Sequence, residues 1–176
     1  MTRAQLEHII GAGAAISDDT EIVVFGSQAI LGSIPEAPAD LLFSNEAGVF
    51  PKNHPERWEL IDGAMGELSA FHDTFGYYAQ GIEVGTALLP VGWATRLVPV
   101  CTAATRGATG YCLELHDLLA AKYLANREKD RRYGKAFQHR LADAQTVLDR
   151  VDTVTANAAR KDAARAAILS DSTSAL

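Results

Sequence analysis

The hydrophobic positions near the N-terminus follow two different periods. A three- or four-residue spacing joins Leu6, Ile9, Ile10 and Ala14. This spacing predicts an amphipathic helix over residues 2–16. The run Glu21–Phe25 is short, apolar and rich in β-branched side chains, which predicts a strand buried on both faces. Gly26-Ser27 ends that strand, and residues 28–31 are predicted to form a short helix.

The middle of the chain predicts short strands and helices in alternation. Residues 40–44 and 46–50 predict either one long strand or two short ones that end at Pro51, and a single, bent strand is favoured. Residues 54–61 predict a helix with proline in its first turn. Ser69 is predicted to cap a second helix that Gly81 closes. Three further apolar runs predict strands over residues 86–89, 96–101 and 110–114.

The chain becomes helical after residue 114. Helical spacing joins Tyr133, Phe137, Leu141, Ala144, Leu148 and Val151. These positions predict one long helix after the charged run 127–132. Residues 153–169 are Ala-rich and predict a C-terminal helix, and residues 170–176 predict a flexible tail. This order predicts an α/β (α+β) domain over residues 1–152, with a mixed sheet and a helical C-terminal third.

The composition indicates a folded, cytoplasmic protein. The chain of 176 residues is 48% hydrophobic and 22% charged, which argues against a disordered protein. A net charge of −6 argues against a broad attraction to nucleic-acid backbones or anionic membranes. No apolar run approaches the roughly 18 residues of a membrane span, so no membrane partner is expected. Cys101 and Cys112 are too few for a disulfide framework and are predicted to be buried free thiols.

The first candidate for chemistry is the Gly26-Ser27 turn. A strand that turns into a helix presents backbone N–H groups to phosphate oxygens, and glycine lets a ligand approach closely. Ser27 adds a hydroxyl donor. Because residues two apart on a strand face the same side, Ser44, Glu46 and Gly48 are predicted to share one face. A metal ion that bridges phosphates usually needs at least two acidic ligands, and Glu46 is the only acid among these three.

Lys122 is the second candidate, because it follows Leu118 and Leu119 at helical spacing on an otherwise apolar face. Its ammonium is predicted to point toward the core or a cleft. The alternative is a side chain that snorkels, with its ammonium in water. Arg127 and Lys129 lie in the charged run that follows, for which the alternative is a solvated helix start.

Gly26-Ser27, followed by Glu46-Ala47-Gly48, resembles the signature of the minimal nucleotidyltransferase superfamily. Residues 114–122 and 127–130 resemble later elements of an uncharacterised bacterial branch of that superfamily. This branch is related to nucleotidyltransferase toxins of toxin–antitoxin and abortive-infection systems. The resemblance covers roughly residues 21–141 and implies a nucleotidyltransferase-like mixed sheet flanked by helices.

The resemblance also implies a function, which is metal-dependent transfer of a nucleoside monophosphate from an NTP to an RNA or protein acceptor. The implied cofactor is Mg²⁺ or Mn²⁺, and an antitoxin is an implied partner. Glu46 and Lys122 would be catalytic, and Glu46 with Glu114 would bind the metal. The implied nucleotide-binding residues are Gly26, Ser27, Lys122, Arg127 and Lys129.

Gly48 departs from this signature, because the superfamily has a second acidic residue at that position. Glycine cannot ligate a metal. Either Asp40 or Glu114 supplies the missing carboxylate, with Glu114 favoured because it closes the predicted strand 110–114. The alternative is a catalytically degenerate protein that binds a nucleotide or a protein partner. A structural α/β domain without a ligand is a third hypothesis.

Overall fold

A computed structural model describes residues 1–173, except for the side chains of residues 137–141 and 173. Residues 174–176 lie outside the described part. The chain divides into two compact units. The first unit comprises Met1–Thr86 and Leu97–Leu113, and the second comprises Ala87–Arg96 and Glu114–Leu176.

The first unit contains a five-stranded mixed sheet, which confirms the predicted α/β class. The strands are β1 (Glu21–Phe25), β2 (Glu46–Pro51), β3 (Tyr78–Gly81), β4 (Val98–Val100) and β5 (Thr109–Cys112). Their order across the sheet is β3-β2-β1-β5-β4. The central strand β1 pairs antiparallel with β2 and parallel with β5. Strand β3 runs parallel to β2, and β4 runs antiparallel to β5.

Four helices accompany the sheet in this unit. They are α1 (Arg3–Ser17), α2 (Ile30–Ser33), α3 (Trp58–Met65) and α4 (Ala70–Phe75). Thr2 begins α1 with a capping box, because its side chain accepts from the Gln5 N–H while the Gln5 side chain accepts from the Thr2 N–H. Leu6, Ile9 and Ile10 are fully buried, as the helical spacing predicts.

The predicted strand over residues 40–50 is wrong in its first half. A 3₁₀ turn occupies Ala39–Leu41, and the strand begins only at Glu46. The backbone N–H groups of Leu41 and Leu42 donate to Pro38 and Ala39 within this turn. Local hydrogen bonds therefore replace strand pairing in this segment.

Gly76 corrects the prediction for the next helix. It takes a left-handed φ of 74° and its N–H donates to the His72 carbonyl, which ends α4 at Phe75. Strand β3 therefore occupies residues that were predicted as helix up to Gly81.

The later strand predictions also change. The predicted strand 86–89 is absent from the described structure, where Val84–Thr86 forms a 3₁₀ turn. Strands β4 and β5 are shorter than the predicted runs 96–101 and 110–114. Because β4 ends at Val100, Cys101 is exposed rather than buried, whereas Cys112 is buried as predicted.

The second unit confirms the helical C-terminal third. Its helices are α5 (Leu115–Ala125), α6 (Glu128–Leu141), α7 (Ala144–Thr153) and α8 (Ala158–Thr173). The single long helix predicted after residue 132 is interrupted, because the Asp143 carboxylate accepts from the Thr146 N–H and caps a new helix. The segment predicted as a flexible tail is helical as far as Thr173, and its last residues, 174–176, lie outside the described part.

No helix in the described part of the chain has both the length and the apolar character needed to cross a lipid bilayer.

Candidate functional site

The turn after β1 depends on the backbone of Gly26. This residue has φ 70° and ψ −169°, a region that side-chain-bearing residues rarely adopt. A Cβ built at Gly26 would meet no atom within 4 Å, so the space beside its Cα is open. Ser27 begins a 3₁₀ turn that runs to Ala29, whose N–H donates to the Gly26 carbonyl at 3.1 Å. A ligand can therefore approach this backbone closely.

Gln28 fixes this turn to the residues that precede β2. Its side chain is fully buried, and Nε2 donates to the Ser44 carbonyl at 2.9 Å. The Ser44 hydroxyl in turn accepts from the Glu46 N–H at 3.1 Å. Strand pairing places Phe25 opposite Gly48. The structure thus brings the Gly26-Ser27 turn and Glu46 to the same end of the β1–β2 pair.

Glu46 lies in a small acidic cleft. The Tyr78 hydroxyl donates to Glu46 Oε2 at 3.4 Å, and burial together with this carboxylate raises the pKa of Tyr78. The cleft has a volume of about 220 Å³ and also contains Asp62 and Glu67. Asp62 is engaged by the backbone, because its Oδ1 accepts from the Gly81 N–H at 3.1 Å.

Gly48 is closed off by its neighbour rather than open to a ligand. A Cβ built on Gly48 would lie 2.3 Å from Cδ1 of Ile82. That distance is far below a van der Waals contact, so a side chain at position 48 would require the terminal methyl of Ile82 to shift. Side chains therefore pack around Gly48, the position at which the sequence resemblance implies a second acid.

Glu114 lies in the second unit, where it caps α5 instead of closing β5. One carboxylate oxygen accepts from the backbone N–H groups of His116 and Asp117, and the other bonds to His116 Nδ1 at 2.6 Å. Burial alone would raise the pKa of Glu114, but these hydrogen bonds outweigh it and hold the pKa below its ordinary value. Both oxygens are therefore used within the first turn of the helix.

Lys122 also lies in the second unit and is buried, as its apolar helical face predicts. Its Nζ donates to Asp130 Oδ1 at 2.8 Å, and the Arg127 Nε donates to Asp130 Oδ2 at 2.6 Å. Asp130 is fully buried. Burial alone would raise the pKa of Asp130, but its two cationic donors outweigh that effect and lower the pKa. Lys129 lies on α6 next to Asp130, and its side chain is exposed.

The sequence does not single out two buried acids, Asp117 and Asp130, that bind cationic side chains in the second unit. The charged run 127–132 does not by itself distinguish Asp130 from the other charged residues. Asp117 is fully buried and accepts from Arg96 Nε and Nη2 at 2.8 and 2.9 Å, with Arg150 Nε 3.1 Å away. Asp117 is followed by Leu118, Leu119 and Ala120 on α5, and this apolar context is the signal that could have revealed it, whereas Asp130 lies between charged residues.

The acids that the resemblance assigns to a metal do not fit a two-carboxylate Mg²⁺ site. Gly48 has no donor atom, and both oxygens of Glu114 have protein partners. Within the described residues, no group of three histidine, cysteine or acidic side chains is arranged to hold a metal ion. The Mg²⁺ or Mn²⁺ cofactor therefore stays a prediction of the sequence.

This chain matches no protein-family model, no curated protein and no solved structure.

Proposed function

We propose that this protein is a nucleotidyltransferase-like nucleotide-binding protein whose Gly26-Ser27 turn receives the phosphate groups of an NTP. The observation that carries the proposal is the open, left-handed backbone of Gly26 directly after the buried strand β1. Backbone N–H groups in such turns form concave anion sites. A hydroxyl at Ser27 provides a further donor to a phosphate oxygen.

The tether through Gln28 supports this role. A phosphate-binding turn must be held in place before the ligand arrives, because ordering a loose loop on binding weakens affinity. Gln28 holds the turn against the Ser44 carbonyl from a fully buried position. The turn is therefore preorganised by the core of the first unit.

Binding without catalysis is the form of the function that these residues favour. Metal-dependent nucleotidyl transfer needs at least two carboxylates around the metal ion. Glu46 supplies one, whereas Gly48 supplies none at the expected position, where the end of the Ile82 side chain lies. The roles of Glu46 and Lys122 in catalysis, and of Arg127 and Lys129 in nucleotide binding, stay predictions.

The same proposal implies a cellular location and partners for the protein. We place the protein in the cytoplasm, where NTPs are present. An RNA or protein acceptor belongs to the transferase hypothesis, whereas a protein partner such as an antitoxin belongs to the binding hypothesis. Co-purification of the chain from its native host would identify such a partner.

Titration with each of the four NTPs, with and without Mg²⁺, tests the proposal. Binding of at least one NTP in the absence of metal is expected, since the turn itself supplies the donors. A parallel incubation with α-labelled NTPs, Mn²⁺ and cell extract is expected to label no acceptor. Labelling that disappears in Glu46→Ala would instead establish the transferase, and the absence of binding by any NTP would reject both functions.

A further inference from the structure

A second cleft lies within the second unit. It has a volume of about 520 Å³ and is formed by α6 and α8, with Tyr123 of α5 in its lining. Clefts of this size accommodate small organic ligands. The wall from α6 carries Arg131, Arg132 and Lys135.

These three cations are exposed and have no anionic partner among the residues that the structure describes. Arg131 and Lys135 are four residues apart on one helix, a spacing at which like charges destabilise the helix. The whole chain carries a net charge of −6, whereas this wall of the cleft carries three positive charges. An anionic ligand would relieve the repulsion and neutralise the excess charge.

The opposite wall of the cleft is small and apolar. Ala163, Ala166 and Ala167 of α8 line it, so a flat ligand can approach the helix closely. Among the described residues of the lining, Asp171 is the one acid, and its Oδ2 accepts from the Tyr123 hydroxyl at 3.0 Å. That hydrogen bond directs the acid toward Tyr123.

The geometry points to a binding site for a nucleoside phosphate, supplied either as a free nucleotide or as the phosphorylated end of an RNA strand. The phosphate pairs with Arg131, Arg132 and Lys135, and the planar base lies on the alanine wall. Guanidinium groups suit both parts, because they bind phosphate through paired N–H groups and also stack on planar rings. This site is separate from the proposed turn at Gly26 and does not depend on it.

Calorimetric titration of the full chain with 5′-AMP, and with a 5′-phosphorylated RNA decamer, tests the proposal. The variant Arg132→Gln/Lys135→Gln is expected to bind about tenfold more weakly or worse, because it removes two charge-assisted contacts. The control Arg160→Gln changes an exposed arginine on α8 outside the cleft and is expected to bind as the parent does.

A second pair of variants changes the shape of the cleft without changing its charge. Ala166→Leu fills the apolar wall and is expected to weaken binding, whereas Ala159→Leu lies outside the cleft and is not. Thermal melts establish that all variants are folded. Tight binding of AMP identifies a free nucleotide, and binding of the decamer alone identifies an RNA end. The proposal is overturned if the parent binds neither probe or if the cleft variants bind as well as their controls.

The two proposed sites can fail independently. Gly26 belongs to the first unit, whereas the cleft belongs to the second. Loss of AMP binding in Gly26→Ala, with retention in Arg132→Gln/Lys135→Gln, would assign the observed binding to the turn and reject the cleft.

Discussion

The ammonium of Lys122 and the carboxylate of Asp130 form a buried ion pair, with Nζ 2.8 Å from Oδ1. The Lys122 side chain is 9% exposed and that of Asp130 is fully buried. Arg127 also pairs with Asp130, and its own side chain is 62% exposed. A residue that the sequence suggested for nucleotide phosphate thus has a carboxylate partner within its own unit.

This arrangement predicts an asymmetry between two substitutions. Asp130→Asn leaves the buried Lys122 without a counter-charge, which typically costs about 3–5 kcal/mol of unfolding free energy. Lys122→Met leaves Asp130 paired with Arg127 and fills a similar volume, so it is expected to cost clearly less. Urea denaturation of both variants measures the difference. Asp149→Asn, at a more exposed position on α7, is the control, and equal costs for the two core variants would contradict the predicted asymmetry.

Gly48 and Gly63 are expected to respond to alanine with opposite signs. Gly48→Ala overlaps Ile82 and is expected to destabilise the first unit by about 1–3 kcal/mol. Gly63 lies inside α3 with open space beside it, so Gly63→Ala is expected to stabilise by roughly 0.5–1 kcal/mol. Thermal melts provide the comparison. Ile82→Val in the Gly48→Ala background is expected to recover part of the loss, and no recovery would show that Ile82 is not the obstacle.

His116 is expected to make stability depend on pH near neutrality. The hydrogen bond to Glu114 raises the pKa of His116 above its ordinary value of 6.5. The resulting stabilisation is therefore complete below about pH 6.5 and is lost as the pH rises through the folded-state pKa. An NMR titration is expected to show a lower His116 pKa in Glu114→Gln than in the parent. An unchanged pKa would mean that Glu114 is not the partner that raises it.

The two cysteines are expected to differ in reactivity. Burial raises the pKa of Cys112 to about 12, so its thiolate is scarce at neutral pH, whereas Cys101 is exposed. Alkylation of the folded chain followed by mass spectrometry is expected to modify Cys101 alone, and both thiols after denaturation. Rapid modification of Cys112 in the folded chain would contradict its buried position.

The sequence predicts those elements whose formation depends on local pattern. Helix α1 follows from the spacing of its apolar residues, and β1 follows from an uninterrupted β-branched run. The segment before Glu46 was mispredicted because turn hydrogen bonds compete there with strand pairing. The break before α7 depends on a single capping side chain, that of Asp143, whose effect the apolar spacing does not reveal.

In the candidate site, too, some features follow from the local sequence and others depend on tertiary packing. Strand pairing brings the turn at Gly26 and the residue Glu46 to the same end of the β1–β2 pair, which could be anticipated from the order of the two segments. The overlap of Ile82 with the space beside Gly48 could not be anticipated, because it depends on how the residue after β3 packs. The burial of Asp130 depends likewise on tertiary contacts that give no local signal.

If the turn at Gly26 binds the phosphates of a nucleotide, alanine at Gly26 weakens binding whereas alanine at a comparable glycine does not. Gly26 and Gly107 both have positive φ, at 70° and 89°, and both have open space beside Cα. Alanine is therefore strained at both positions, because residues with a Cβ rarely adopt a positive φ. Calorimetric titration with the best-binding NTP is expected to show affinity reduced at least about tenfold in Gly26→Ala and unchanged in Gly107→Ala. Equal affinity in the two variants would contradict the assignment of the turn as the nucleotide site.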